Sequence, residues 1–92
     1  MSAATTIALR IERHDGAHGF EDPAVPGDLT IDEVTRRAVP RLRYPTTDVS
    51  TGKPLHYALL HEGRELARDQ PVSEAFPRRR ARVHVVHEYT NA

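Results

Sequence analysis

The side chains with chemistry to offer in this chain are six histidines, a run of arginines and one lysine, Lys53. His84 and His87 are three apart, which on a strand puts them on opposite faces. His14 and His18 flank a turn. With no cysteine and no H-x-x-x-H spacing on a helix, no ligand set for a metal ion emerges. Ser2, Ser50 and Ser73 lack the G-x-S-x-G surroundings of an activated nucleophile. No G-x-x-x-x-G-K-[ST] or G-x-G-x-x-G element is present to cradle phosphates. The carboxylates are scattered singly, as solvated charge is. The reading is therefore of no catalytic residue, no metal and no cofactor. Pro77-Arg78-Arg79-Arg80-Ala81-Arg82 is a basic run of the kind that can contact phosphates. Yet 13 basic residues balance 13 acidic ones, and aromatic residues are not interleaved. That argues against nucleic acid and for a solvated turn or an electrostatic rim around a protein interface.

The elements that position these groups must fit in 92 residues, the size of one small domain. Such a domain buries roughly 60–65% of its unfolded surface, so its core must be compact. One domain over 1–92 is expected, with a short flexible N-terminus and a tail from about Tyr89. The first residues lack a basic stretch followed by an apolar one, so no signal peptide is read. No run approaches the roughly 20 apolar residues that span a bilayer. Together with the absence of cysteine, this gives a cytoplasmic expectation with no membrane partner.

Ile7, Leu9 and Ile11 alternate along a half-buried strand. Asp15-Gly16 marks a hairpin turn. A weaker return strand runs from His18 to about Asp22, where Pro23 and Pro26 suit an edge. Thr30 and Glu33 form a T-x-x-E capping box. Ile31, Val34 and Ala38 share the following helix face, with Leu42 a continuation of it, and Pro40 limits the regular helix to about nine residues. Arg43 to Pro54 is polar and reads as a mobile loop. Leu55, Tyr57 and Leu59 alternate inward, Gly63 turns the chain, and Leu66 returns to the core. Pro71 to Phe76 forms a short helical turn ending at Pro77. Val83 and Val85 then face inward on a last strand. The predicted core is Ile7, Leu9, Ile11, Ile31, Val34, Leu59, Leu66, Val83 and Val85.

This order, ββαββ with a late helical turn, resembles a ubiquitin-like β-grasp domain, an α+β fold in which a mixed sheet packs on one helix. Three motifs carry the resemblance. Thr30-Ile31-Asp32-Glu33-Val34 matches the family's helix start. Leu59-Leu60, then Gly63 and Leu66, match the end of its third strand and the next buried leucine. Val83-His84-Val85-Val86 matches its last strand. The loop from Pro45 to Pro54 and the scarcity of lysine depart from eukaryotic ubiquitin. The chain looks more like bacterial ubiquitin-like proteins, including those encoded beside ubiquitin-activating-like enzymes and those attached to type VII secretion systems.

The resemblance implies work through a surface and a tail, not an active site. It makes the third and last strands antiparallel neighbours. Leu60 then lies by His84 and Ala58 by Val86, an exposed apolar cluster at the family's partner-binding patch, and His56 lies across from Glu88. The tail Tyr89-Thr90-Asn91-Ala92 stands where modifiers carry Gly-Gly, but has no glycine. Conjugation through Ala92 would require an activating enzyme with a wider channel, and Lys53 would be the lysine acceptor amine. Three functions fit: a bacterial ubiquitin-like protein that binds proteins, as a modifier handled by activating-like and conjugating-like enzymes or as a non-covalent relative; an accessory protein of type VII secretion; and a small regulatory subunit of a multicomponent enzyme.

Overall fold

A computed structural model of the chain describes residues 5–16 and 18–87. The order is β1 (Thr6–Arg13), β2 (Gly19–Pro26), α1 (Ile31–Arg41), β3 (Tyr57–His61), β4 (Arg64–Glu65), α2 (Val72–Ala75) and β5 (Arg80–His87). The strands form one mixed sheet in the order β2-β1-β5-β3-β4. β5 runs parallel to β1, from Ala8↔Arg80 to Arg13↔Val85. It runs antiparallel to β3, from Tyr57↔His87 to Leu60↔His84. This is the α+β arrangement expected of a β-grasp chain, one mixed sheet packed on one helix.

Alternation decides which face is buried. Ile7, Leu9 and Ile11 of β1, Leu59 of β3 and Val83 and Val85 of β5 are each no more than 2% exposed. They meet Ile31, Val34 and Ala38 of α1 in one cluster. Eight of the nine predicted core residues are buried there; Leu66 is only partly buried and packs against the rim. The helix start is as read. Glu33 N–H donates to Thr30 Oγ1 at 3.2 Å, and Thr30 N–H donates to Glu33 Oε1 at 3.3 Å, the reciprocal capping box.

Two elements run longer than expected. β2 extends through Pro23 to Pro26. The proline penalty falls on lost ladder bonds, and β2 is an edge strand. Its register shifts between Ile7↔Val25 and Leu9↔Asp22, so Pro23 sits in a bulge where pairing is already interrupted. α1 continues past the expected nine residues to Arg41, because Pro40 falls in the last turn and sacrifices a single bond. The helix then closes in a Schellman motif. Tyr44 N–H donates to Val39 C=O at 3.1 Å and Arg43 N–H to Pro40 C=O at 3.1 Å. Arg43 takes the left-handed position, with φ 60°, that glycine usually fills.

The segment from Arg43 to Pro54 is loop, as expected, with no helix or strand, but that closure anchors its start in the core. Tyr44 is 8% exposed. Its hydroxyl donates to Val85 C=O at 2.8 Å and accepts from His14 N–H at 3.1 Å. The Arg13 guanidinium lies 4.5 Å from its ring centroid, and the Tyr57 ring packs 4.9 Å from it. Tyr57 O–H donates to Pro45 C=O at 2.6 Å. Apart from Tyr44 and the half-buried Asp48 the segment is exposed, and Val49 at its tip is an exposed apolar side chain. There Asp48 accepts from Ser50 N–H at 2.8 Å and Ser50 O–H at 2.6 Å. These bonds favour the ionised form and hold the Asp48 carboxyl below its ordinary pKa. Val72 and Phe76, from the late helical turn, are also fully buried.

Leu59→Ala should cost about 2–5 kcal/mol. Urea unfolding would read it, and a loss no larger than that of a surface substitution would contradict the inward facing of Leu59. A second expectation concerns alkaline pH. Burial, and then the neighbouring Tyr44, push the Tyr57 hydroxyl above its ordinary pKa, with Arg13 opposing them. Because the folded value is the higher one, the neutral phenol contributes its full stability below about pH 10 and loses it as pH rises through the folded value. Stability against pH should therefore fall more steeply in that range for the wild type than for Tyr57→Phe. Parallel curves would show that the phenol does not anchor the loop.

Candidate functional site

The outer face of the sheet, away from α1, is built by the residues that alternate with the core. On β3 and β5 the register pairs Leu60 with His84 and Ala58 with Val86, the two neighbourhoods expected from the sequence. Leu60, His84 and Val86 are partly exposed. Ala58 is not: it is 6% exposed, which corrects its placement in an exposed cluster. A methyl group is overtopped by the longer side chains beside it, Val86 across the ladder and Leu60 two positions along. The accessible apolar surface is thus a Leu60–Val86 pair over a floor that Ala58 fills.

A group not foreseen from the sequence organises the next part of this face. Glu12 on β1 stands opposite His84 in the parallel register. Its side chain is only 13% exposed and gathers two arginines and a histidine. Glu12 Oε1 lies 3.3 Å from Arg82 Nε and 3.6 Å from His84 Nε2, and Oε2 lies 3.9 Å from Arg10 Nε. Arg10 also reaches Glu21 at 4.0 Å. The carboxylate therefore lies beside the His84 ring, next to the apolar pair. The parallel β1–β5 register creates this contact. Glu12 and His84 are far apart in the chain, and alternation alone says only that each faces outward.

The histidines do not converge. His84 faces Glu12, whereas the His87 ring meets Tyr57 edge-on at 5.5 Å on the inner face. His14 Nδ1 lies 2.9 Å from the Tyr44 hydroxyl, and the His61 ring meets Phe76 at 5.1 Å. Among the described residues no three side chains of metal-binding type form a group. Lys53 is exposed at the loop tip, where its carbonyl accepts from Asp48 N–H at 2.8 Å. The expected His56–Glu88 pair and the tail residues Tyr89, Thr90, Asn91 and Ala92 involve positions outside the described residues.

No family model and no curated protein matches the chain. Solved structures do. One, described as molecular mimicry of SUMO that promotes DNA repair, aligns with a TM-score of 0.67 at 16% identity, covering 92% of this chain and 95% of its own. A protein designed de novo on the basis of ubiquitin aligns at 0.67 and 16% identity, covering 97% and 96%. The ubiquitin of Caldiarchaeum subterraneum aligns at 0.65 and 12% identity, covering 95% and 99%. At these identities the likeness concerns the path of the backbone, and with the sheet order and the helix it gives the chain a ubiquitin-like β-grasp fold.

Proposed function

We propose that this chain is a ubiquitin-like protein that acts by binding other proteins through the outer face of its sheet, at Leu60, His84 and Val86. The observation that carries the proposal is the register. It sets a partly exposed apolar pair beside a histidine that faces a largely sheltered glutamate, on the face of the sheet away from α1. Ala58 supports the surface from below. The role needs no cofactor and no catalytic residue, and the partners are proteins, not membranes or nucleic acid.

The finer reading is a bacterial, cytoplasmic protein, used as a modifier by activating-like and conjugating-like enzymes or as a non-covalent relative. The likeness in fold to the ubiquitin of Caldiarchaeum subterraneum supports considering the modifier route. Activation would use the tail Tyr89 to Ala92, and Lys53 would be the lysine available for chain growth.

Val86→Asp and Leu60→Ala should leave the fold intact and sharply reduce recovery of host partners in pull-downs. Undiminished recovery with Val86→Asp, at equal amounts of folded protein, would remove the surface from consideration. The covalent route has its own test, reconstitution with a cognate activating-like enzyme and ATP, followed by intact mass spectrometry. An adenylate or thioester that disappears when Asn91 and Ala92 are deleted is the expected outcome for a modifier. No ATP-dependent adduct would leave the non-covalent form of the proposal.

A further inference from the structure

β3 covers only part of β5. The antiparallel register ends at Leu60↔His84, because the chain turns away at Glu62 and Gly63, which have φ of 54° and 80°. The first half of β5, Arg80 to Val83, has no partner strand on that side. Backbone direction on this half can be assigned. Ala8 N–H donates to Arg79 C=O at 2.9 Å. Alternate groups of β5, those of Arg79, Ala81 and Val83, therefore face β1, and those of Arg80 and Arg82 face the uncovered side. No backbone hydrogen bond outside the ladders reaches Arg80 or Arg82 among the described residues. A groove of about 590 Å³ lies along this edge. Its apolar wall includes Phe76 and Ala81, and its basic side carries Arg78, Arg80 and Arg82 against a lone carboxylate, Glu62. Arg78 and Arg80 are exposed and have no ion-pair partner among the described residues.

We infer that this edge is a second binding site, which takes an extended acidic segment of a partner protein as a short added strand. The inference rests on the reading of the chain as a protein-binding module, but uses a different surface from the Leu60–Val86 pair. Strand addition supplies backbone bonds to the free N–H and C=O groups of Arg80 and Arg82. Alternation then dictates the sequence of the occupant. Residues opposite Arg80 and Arg82 share their face and stand about 6.5–7 Å apart along the strand, so carboxylates at i and i+2 meet the two guanidiniums. The residue between them points to the other face, towards Phe76 and His61, and is apolar. The motif is acidic–apolar–acidic, with Arg78 favouring further acidic residues towards one end. Its specificity comes from charge-assisted bonds at a spacing fixed by the strand.

The capped peptide Glu-Val-Glu-Val-Glu is the probe, titrated into the full chain and followed by amide NMR shifts. Saturable shifts at Ala81, Arg82, Phe76 and Gly63 are expected. Glu-Glu-Val-Val-Glu, of the same charge and composition, should bind about tenfold more weakly because its acids do not alternate. Arg80→Ala should weaken the alternating peptide by a similar factor of about ten, the equivalent of one charge-assisted contact. Glu62→Gln should tighten it by removing the carboxylate that lines the groove. Equal binding of the two peptides would overturn the added-strand geometry, as would shifts confined to other surfaces. Tighter, Arg80-dependent binding of oligothymidylate would assign the arginines to nucleic acid. Val86→Asp should retain peptide binding, whereas Arg80→Ala should retain the partners captured through Leu60 and Val86. Failure of the groove and failure of the apolar surface are thereby separately visible.

Discussion

The parallel pairing of β1 with β5 is the constraint on which the rest of the molecule depends. It joins strands from opposite ends of the described chain at the centre of the sheet. Parallel neighbours cannot be joined by a tight turn, so everything between Arg13 and Arg80 must serve as the crossover or pack against it. On the inner face the pairing aligns Ile11 with Val83 and, one step on, Leu9 with Ala81, which gives α1 an apolar surface to cover. On the outer face the same register puts Glu12 beside His84 and Arg10 beside Arg82. A slip of one residue would exchange these faces. It would bury a glutamate and two arginines and expose the isoleucines. Core and candidate surface are thus two consequences of one alignment, and selection on either constrains the other.

How much of this was legible depended on whether the signal was local. The alternation of Ile7, Leu9 and Ile11, the Thr30–Glu33 box and the turn at Gly63 are short-range patterns, and each structure followed them. Pro23 and Pro40 interrupt their elements less than the residue type implies, because the cost of a proline depends on whether its missing bond had a partner. At a bulged edge and in a final helical turn that cost is small. Tyr44 was missed because a lone aromatic residue in a polar stretch has no periodicity. Its burial follows from the helix closure at Arg43, which swings the next residue under the sheet. Ala58 was placed on the right face but with the wrong exposure. Alternation gives direction, not the height of the neighbours. The Glu12 contacts need a parallel register that nothing in the local sequence encodes.

The even balance of 13 basic and 13 acidic residues conceals a graded outer face. Near Leu60 and Val86 it is apolar. In the middle, Glu12 compensates Arg82 beside His84, and because that carboxylate is largely sheltered the compensation is less exposed to salt than an ordinary surface pair. Towards the start of β5, Arg78 and Arg80 have no described counter-charge. Net charge describes long-range steering of the whole molecule. Recognition at contact distance responds to this local gradient instead, so a neutral chain can still prefer an acidic segment at one end of a strand and an apolar one at the other.

An uncovered strand edge is ordinarily a hazard, since any extended chain can add to it. Arginine at Arg80 and Arg82 limits that hazard in a selective way. A second copy of this chain brought edge to edge would place arginines opposite arginines, and like charges directly across a ladder are destabilising. Neutral strands would gain backbone bonds but leave the Arg80 guanidinium without a partner, whereas Arg82 already has Glu12. Only a strand with carboxylates at alternate positions gains from both the backbone and the side chains. The residues that protect the edge from indiscriminate pairing are therefore the same ones that would define its occupant, and the turn at Glu62 and Gly63, by ending β3 early, is what leaves them room to do so.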